Sequence, residues 1–426
     1  MTSRWDKGKK PNEVVEEETH VNAPGAWERL EPKLAATRRR VQALESEPER
    51  RNSFVAYTVE RDSAHADLDG RRLLMMSGYS YLGLAGDERV VAAAKAAVDL
   101  YGTGNHGVRA LAGSIPLHEE LEAEVARFAE RETAMVFGSG YAANVGTVGG
   151  LVGAGDTVFI DKYDHASIVD GCRLSGATVT RFRHNDVDHL DRRLRAAGPD
   201  GVRLVVVDSV YSMDGDIAPL PELRKVCDEH NALLMVDEAH ALGVIGATGR
   251  GIEEHFDHAV EVDIKLGTLS KAIPSMGGWV AGPERLIGHL RYAARPFLFS
   301  AALGPAQAAA ALESLRILQR EPERVAHIQH QSERLRALIN AEGLRTQDSE
   351  TAVLPLIAGS DEAAYDLATA CRRNGVIGLP VVTPAVPNDL ARLRIAVTAR
   401  HTEADIDFAA EVFLKSAREC GILPAR

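Results

Sequence analysis

A short apolar run that ends in hydroxyl residues and a lysine is the first stretch of the chain with a chemical signature. Lys271 follows Thr268 and Ser270 and precedes the glycine pair Gly277 and Gly278. A lysine withdrawn from water loses its positive charge more easily and can then attack a carbonyl group. The pattern predicts a Schiff-base lysine at the end of a strand. A solvated loop lysine is the alternative for this stretch taken alone.

An acidic residue at the end of another apolar run precedes this lysine. Asp237 directly follows residues 233–236, and the sequence Asp-Glu-Ala-His that it opens ends at His240. This order resembles that of fold-type I enzymes that use pyridoxal 5′-phosphate (PLP). The resemblance implies that Asp237 keeps the ring nitrogen of PLP protonated, so that the ring becomes an electron sink. A cap on the strand end is the alternative for Asp237.

The segments that must position these residues alternate between short apolar runs and helix-length stretches. Several runs are apolar on both faces, which indicates a mainly parallel seven-stranded sheet with helices on each side, an α/β fold. Ligands bind such sheets beyond the carboxyl ends of the strands, where Asp161, Asp208, Asp237 and Lys271 fall. One pocket is therefore predicted to collect them. The predicted strands are 133–137, 157–160, 177–181, 204–207, 233–236, 264–266 and 279–281.

The length of 426 residues and the order of these segments predict three regions. Residues 1–72 form an N-terminal arm, a helix and a hairpin that starts at Phe54 and turns at Asp69-Gly70. Residues 73–303 form the large PLP-binding domain. Residues 304–426 form an interdomain helix and a smaller α+β domain, in which Ser360 and Thr402 begin helices.

Two helix predictions are specific enough to be tested by a structure. The interdomain helix is expected to run from Pro305 past Pro322 to about Asn340. The helix at 117–128 has an apolar stripe, and its acidic residues are expected to face solvent.

Composition limits the kinds of partner. The net charge of −12, with acidic and basic residues interspersed, argues against nucleic acid or an anionic membrane as a ligand and favours small molecules. The four cysteines, Cys172, Cys227, Cys371 and Cys420, lie far apart, so neither a disulfide framework nor a metal site is predicted. The first residues lack an apolar signal region and no run is long enough to cross a bilayer, so a cytoplasmic location is expected.

A set of ordered motifs from about Leu73 to the C-terminus resembles the α-oxoamine synthases. This family includes glycine C-acetyltransferase, aminolevulinate synthase, 8-amino-7-oxononanoate synthase and serine palmitoyltransferase. The motifs follow the order of the family along most of the chain, which makes the resemblance specific. They are Tyr81–Leu84, Ser139–Asn144, Asp164–Ile168, Tyr211–Asp216, Val236–His240, Gly267–Lys271 and Ala391–Arg394.

The resemblance implies PLP as the cofactor and assigns the residues that hold it. Gly140 and Tyr141 open a helix, whose free N–H groups suit a phosphate, although a plain strand-to-helix turn is the alternative. His165 resembles the histidine that stacks on the PLP ring and contacts the substrate carboxylate, and a structural histidine is the alternative. The remaining implied contacts are Ser212 and His240 to the phenolic oxygen, and Thr268 and the other subunit's Ser300 to the phosphate.

The substrate side of the pocket is less constrained. Arg394 resembles the arginine that clamps the amino-acid carboxylate, with Arg392 as its rival. Tyr79 stands where many relatives have an asparagine that contacts the amino acid, so it is expected to bind substrate and leaves the choice of amino acid open. Met276 also departs from the family pattern, which has smaller residues after the lysine. Arg109 and His118 also match the family, but structural roles are equally expected for them.

Together these features predict a homodimeric PLP-dependent acyltransferase. It would condense an amino acid with an acyl thioester, on coenzyme A or an acyl-carrier protein, usually with decarboxylation, to give an α-amino ketone. The sequence around Tyr79 resembles that of synthases in polyketide or natural-product pathways, and this resemblance favours a carrier protein as the acyl donor. Another fold-type I activity, an aldolase or an aminotransferase, is the alternative, and a non-catalytic synthase-like subunit is a further one.

Overall fold

The structure, a computed structural model, describes residues 25–45, 50–52, 55–198, 200–387 and 389–425. Two compact units span residues 1–51 and 52–426. The first unit contains the helix α1, Ala26–Leu44, which confirms the helix predicted near the N-terminus. The predicted N-terminal arm and Phe54 lie outside the described residues.

The second unit opens with a hairpin and two helices. Strand β1 covers Thr58–Val59, β2 His65–Leu68 and β3 Arg71–Met75, followed by helices α2, Glu88–Tyr101, and α3, Pro116–Ala129. The hairpin turn lies at Asp69 and Gly70 as predicted, and both residues have positive φ angles, 54° and 78°. Asp87 caps α2 by accepting a hydrogen bond from the Arg89 N–H.

Seven strands and their connecting helices follow. In chain order they are β4 Thr133–Phe137, α4 Gly140–Leu151, β5 Thr157–Asp161, α5 Ala166–Ser175, β6 Thr178–Phe182, α6 Val187–Ala196, β7 Arg203–Asp208, α7 Leu220–Glu229, β8 Leu233–Asp237, α8 Ile252–His255, β9 Ile264–Ser270, β10 Pro274–Gly282, α9 Glu284–Ala293 and α10 Arg295–Leu298.

These strands form one sheet in the order β4-β10-β9-β8-β7-β5-β6. Only β10 runs antiparallel to its neighbours. Residues 204–207 of β7 are fully buried because helices cover both faces of the sheet. The predicted mainly parallel seven-stranded sheet is therefore confirmed.

The remaining elements form smaller sheets and their helices. They are α11 Pro305–Arg320, α12 Glu323–Ala341, β11 Val353–Gly359, α13 Asp361–Arg373, β12 Val376–Ile377, β13 Leu379–Val381, β14 Ala391–Ala396 and α14 Glu403–Glu419. One sheet has the order β11-β14-β13, and β12 pairs in parallel with β3 of the hairpin. Ser360 and Thr402 cap α13 and α14 as predicted.

The prediction of one unbroken helix from Pro305 to Asn340 is wrong. The chain leaves the helical conformation at Glu321, whose φ and ψ are −129° and 58°, and α12 starts after Pro322. A proline disfavours helical geometry in the residue before it and has no N–H to continue the helix, which accounts for the break.

The prediction that the acidic residues of α3 face solvent is also wrong for two of them. Glu122 and Glu124 are 5% and 6% exposed. Glu122 pairs with Arg109 and Arg291, at 2.8 and 2.9 Å, and accepts a hydrogen bond from the Val136 N–H. A buried carboxylate is stable only with such partners, and all three of these partners lie outside α3, where the periodicity of the helix gives no sign of them.

A second buried ion cluster is centred on Glu253. Its Oε2 is 2.7 Å from the Nζ of Lys265 on β9, its Oε1 pairs with Arg131, and it accepts a hydrogen bond from the Val262 N–H. Removing one member of such a cluster leaves the other charges buried without compensation.

Glu253→Ala is expected to lower the free energy of unfolding by about 3–5 kcal/mol, because Lys265 and Arg131 lose their common carboxylate. Urea unfolding followed by circular dichroism measures this change. Glu261→Ala is the matched control. Glu261 also contacts Arg131, at 3.5 Å, but its side chain is 76% exposed, so a change below about 0.5 kcal/mol is expected. Equal losses in the two variants would contradict the cluster's role.

Candidate active site

Lys271 directly follows β9, so its amine lies at the carboxyl edge of the sheet. Burial lowers the pKa of the Lys271 ammonium, and Arg394 adds to this effect, whereas Asp237 and Asp208 oppose it. The Nζ lies 5.6 Å from the centre of the Tyr79 ring. A desolvated amine of this kind is easily made neutral and nucleophilic, as the sequence predicts.

Asp237 ends β8, beside this lysine, and is 4% exposed. Its Oδ2 accepts a hydrogen bond from Asn144 Nδ2 at 2.7 Å, and its Oδ1 accepts one from the Ala239 N–H at 2.9 Å. Burial and the neighbouring Asp237 raise the pKa of the Asp208 carboxyl well above its usual value. Asp208 therefore favours its neutral form.

His240 lies three residues after Asp237 and belongs to a separate hydrogen-bonded group. Its Nδ1 is 2.9 Å from the hydroxyl oxygen of Tyr81. The Tyr81 oxygen also accepts a hydrogen bond from Arg394 Nη2 at 3.1 Å, so its own proton is left for His240. Burial, followed by the charges of Lys271 and Arg394, lowers the pKa of His240 well below its usual value. His240 is therefore neutral, with Nδ1 as an acceptor.

The structure separates the two candidate arginines of β14. Arg392 is 1% exposed, and its Nη1 pairs with Asp214 Oδ1 at 2.6 Å and donates to the Met213 carbonyl. Arg394 donates from Nε to the main-chain carbonyl of Ser212 at 2.7 Å, and its Cζ lies 5.2 Å from the centre of the Tyr79 ring. Only Arg394 reaches the group of side chains around Lys271, and Arg392 acts in an ion pair.

The start of α4 forms a narrow cradle opposite β9 and β10. Gly140 and Tyr141 are its first residues, so their N–H groups have no partner within the helix. A Cβ on Gly140 would lie 3.0 Å from Thr268 Cβ, and a Cβ on Gly278 would lie 2.5 Å from the Ser139 carbonyl oxygen. Only glycine fits at these two positions without a shift of the neighbouring atoms, and the free N–H groups at the helix N-terminus suit an anion, so the residues present fit the phosphate of PLP.

Three further residues predicted to contact the cofactor are Tyr141, Thr268 and Ser300. The Tyr141 side chain is exposed and its hydroxyl donates to Asp170, so only its backbone faces the cradle. Thr268 Oγ1 donates to the Gly277 carbonyl and lies 2.7 Å from Ser270 Oγ. Ser300 is exposed and makes no hydrogen bond to any other described residue. Its expected contact with a phosphate in another subunit stays a prediction.

Arg109 and His118 have structural roles. The Arg109 side chain is 7% exposed and pairs with Glu122. His118 is fully buried, with Nε2 2.6 Å from the Leu303 carbonyl and Nδ1 accepting from the Ile115 N–H. Both side chains hold α3 against its neighbours, which is the structural role expected as one alternative for each of them.

Sequence reasoning missed a half-buried histidine beside the loop that carries Ser212. His184 Nδ1 is 3.0 Å from Asp161 Oδ1, and its Nε2 is 2.7 Å from Asp216 Oδ2. The hydrogen bonds and charges of these two acids outweigh burial and raise the pKa of His184 to about 10. The protonated imidazole therefore clamps the loop to the end of β5. The signal available in the sequence was its place just after the edge strand β6, at the same edge as Asp161.

The part of the chain that the structure describes contains no helix long and apolar enough to cross a membrane. The four cysteines are unpaired thiols, as expected, and burial raises the pKa of Cys172, Cys227 and Cys371 to about 12.

Comparison with known proteins agrees with this geometry. Residues 71–413 match the family described as Aminotransferase class I and II. The chain is 42% identical over 357 residues to 8-amino-7-oxononanoate synthase from Symbiobacterium thermophilum, covering 84% of this chain and 91% of that protein. It is 38% identical over 355 residues to serine palmitoyltransferase from Sphingobacterium spiritivorum, covering 83% and 89%.

The fold is also similar to that of a solved structure of a serine palmitoyltransferase. The chain is 32% identical to a variant of serine palmitoyltransferase from S. paucimobilis with a bound PLP–myriocin aldimine, with a TM-score of 0.88, and the match covers 92% of this chain and 100% of that one. The fold and the site define a fold-type I PLP-dependent transferase. The chain belongs to the Aminotransferase class I and II family, and the relatives named above are α-oxoamine synthases.

The predicted family resemblance, fold class, PLP cofactor and acyltransferase class are therefore confirmed. The roles of individual site residues and the domain boundaries stay predictions.

Gly278→Ala is expected to weaken PLP binding about tenfold, because its Cβ would lie 2.5 Å from the Ser139 carbonyl oxygen and 2.6 Å from Gly140 Cα, and backbone would have to move. Equilibrium dialysis of the protein against PLP measures the dissociation constant. Gly138→Ala is the matched control, since a Cβ there meets no atom of the described residues within 4 Å. Unchanged binding in Gly278→Ala would refute the cradle.

The His184 clamp predicts a pH-dependent stability. Its folded-state pKa of about 10 lies above the ordinary value of 6.5, so its contribution is complete below about pH 6.5 and is lost as the pH rises through about 10. Wild type should melt above His184→Gln at pH 6.5, and the difference should shrink towards pH 10. His106→Gln, at an exposed histidine, should show no such trend. A difference that does not change with pH would contradict a protonated clamp.

Proposed function

We propose that this protein joins the α-carbon of an amino acid to the acyl group of a thioester. The products are an α-amino ketone, a free thiol and, for an amino acid that loses its carboxylate, carbon dioxide. When bound, PLP supplies an electron sink for the negative charge that develops at the α-carbon.

The observation that carries the proposal is the arrangement of two cations around one ring. Lys271 Nζ and Arg394 Cζ lie 5.6 and 5.2 Å from the centre of the Tyr79 ring. One position suits the amino group of an amino acid and the other its carboxylate, which a guanidinium can bind through two parallel hydrogen bonds. Tyr79 thus lies where it contacts an amino acid bound between the two residues.

Each residue at the sheet edge has a role in this proposal. Gly140, Tyr141 and Thr268 hold the phosphate, and Asp237 accepts a hydrogen bond from the ring nitrogen of PLP. Ser212 and His240 bind the phenolic oxygen. Lys271 holds the cofactor between turnovers and moves the proton at the α-carbon, a task for which its lowered pKa suits it. His165 contacts the substrate carboxylate and stabilises negative charge on the acyl oxygen.

A cavity next to Ser212 is a suitable entrance for the thioester. It has a volume of about 430 Å³, and its lining includes Tyr163, Met213 and Val386 as well as the cations Lys162 and Arg181. Coenzyme A and acyl-carrier proteins both present a phosphorylated arm, which the two positive charges suit. The relatives' names, 8-amino-7-oxononanoate synthase and serine palmitoyltransferase, support acyl transfer rather than amino-group transfer.

The proposal includes a homodimer in a reducing compartment, the cytoplasm. Large apolar side chains are exposed at Leu111, Tyr292 and Phe299, by 85%, 83% and 70%, and exposed apolar patches often mark interfaces. Ser300 follows Phe299 directly, so an interface here would carry Ser300 towards a second copy. The four unpaired cysteines support a compartment that keeps thiols reduced.

The test mixes the PLP-loaded protein with a panel of amino acids and one acyl thioester, and measures free thiol and product mass. An α-amino ketone formed together with one thiol per turnover supports the proposal. An amino acid converted without the thioester would instead favour an aldolase or aminotransferase. Parallel reactions with acyl-coenzyme A and acyl-carrier protein identify the acyl donor.

Lys271→Ala is expected to abolish turnover and covalent attachment of PLP, because no other amine replaces its Nζ. Thiol release and the absorbance of the bound cofactor measure both effects. Lys162→Ala is the control, because this lysine lies at the cavity entrance, and it should keep the attachment. Turnover in Lys271→Ala at the wild-type rate would refute the assignment.

A further inference from the structure

A chain of buried hydrogen bonds links His165 to Asp237 through two residues that the mechanism above does not use. Asn144, on α4, is 1% exposed, and its Nδ2 is 2.7 Å from Asp237 Oδ2. The same Nδ2 is 2.9 Å from the hydroxyl oxygen of Ser167. Ser167, on α5, is also 1% exposed, and its Oγ lies 2.7 Å from His165 Nδ1.

The chemistry at each end sets the direction of these hydrogen bonds. A charged carboxylate only accepts, so Asn144 must turn its NH₂ group towards Asp237, and the two hydrogens of that group serve Asp237 and Ser167. The Ser167 oxygen accepts from Asn144 and has its own hydrogen left for His165 Nδ1. The Ser167 backbone N–H also donates to Nδ1, at 3.3 Å. Two donors therefore point at one ring nitrogen, which must be an acceptor.

We propose that Asn144 and Ser167 are positioning residues that hold His165 as the neutral tautomer with its proton on Nε2, and hold the Asp237 carboxylate through Oδ2. In this tautomer Nε2 offers the substrate a hydrogen-bond donor and has no lone pair with which to take a proton. His165 then stabilises negative charge on a substrate oxygen, and proton transfer at the α-carbon belongs to Lys271. The use of the relay in the reaction rests on the proposed function.

Two further features agree with this arrangement. Burial lowers the pKa of the His165 imidazole and Lys271 adds to this, although Asp237 opposes it, so a neutral ring is favoured. The Asn144 Oδ1 is buried and has no hydrogen-bond partner among the described residues. A buried oxygen without a partner is unfavourable, so the amide keeps this orientation only because the carboxylate and the hydroxyl require its two hydrogens.

The experiment records the nitrogen-15 spectrum of histidine-labelled protein without PLP, where the two ring nitrogens of a neutral histidine have distinct shifts. The His165 signals are identified by their loss in His165→Gln. Wild type is expected to show a protonated Nε2 and an unprotonated Nδ1. Ser167→Ala should give a mixture of both tautomers, because Nδ1 loses its hydroxyl donor.

Ser209→Ala is the matched control. Ser209 Oγ is a buried hydroxyl that donates to the main-chain carbonyl of Asp237, at 2.8 Å, and lies outside the relay. Its His165 spectrum should equal that of wild type. A wild-type His165 protonated on Nδ1, or an unchanged spectrum in Ser167→Ala, would overturn the proposal. These spectra need no cofactor, so their outcome is independent of the thiol-release test of the proposed function.

Kinetics of the PLP-loaded enzyme provide the second measurement. Ser167→Ala is expected to lower kcat about tenfold while the KM for the acyl thioester changes by less than about threefold, because the relay orients His165, which acts on the acyl oxygen as negative charge develops there. Asn144→Ala should also shift the pH titration of the cofactor's absorbance, which Ser209→Ala should leave in place. If Asn144→Ala does not fold, Ser167→Ala still decides. Equal effects of Ser167→Ala and Ser209→Ala on kcat would overturn the proposal.

Discussion

A buried negative charge at the end of β8 governs the arrangement of the site. The Asp237 carboxylate is 4% exposed, and burying a charge is unfavourable unless donors and a cation compensate for it. The donors are the amide of Asn144 and the Ala239 N–H. Lys271, which follows the adjacent strand β9, interacts electrostatically with the carboxylate. Burial still lowers the pKa of Lys271 although Asp237 opposes it. Burial thus has two effects at this site. It requires hydrogen-bond donors that fix the Asp237 carboxylate, and it favours the neutral, nucleophilic form of the Lys271 amine.

The site also shows how the surroundings give identical side chains different charges. Two carboxylates hold His184 protonated, whereas burial together with nearby cations makes His240 neutral. The charged histidine, His184, has a structural role, because it holds the loop that carries Ser212 against the end of β5. The Ser212 carbonyl in turn accepts from Arg394, and Arg394 donates to the Tyr81 hydroxyl beside His240. The ion pair of His184 with Asp216 is therefore linked to Arg394 through the loop and the Ser212 carbonyl.

Much of the fold could be predicted because the signals involved are local. The seven apolar runs, the turn at Asp69-Gly70 and the caps at Ser360 and Thr402 depend on residues within a few positions of each other.

The two wrong predictions, on the interdomain helix and on the acidic residues of α3, have distinct causes. The break at Glu321 has a local signal, Pro322, that was outweighed by apolar periodicity. The burial of Glu122 has no signal within its own helix, since its partners lie outside α3: Arg109 precedes the helix and Arg291 lies 169 residues further along the chain.

The sequence by itself determined which chemical groups stand at the carboxyl ends of the strands, because a parallel sheet brings the end of every strand to one edge. It therefore indicated Asp161, Asp208, Asp237 and Lys271 as members of one pocket, whereas His240 was assigned by the family resemblance. Only the tertiary structure decided how they are held: Asn144 on Asp237, Tyr81 between His240 and Arg394, and Asp214 on Arg392. The physical reason is that a hydrogen bond forms only if donor and acceptor are placed to within a few tenths of an ångström. These donors and acceptors lie on segments that are remote in the chain, and strand and helix periodicity does not encode their separation.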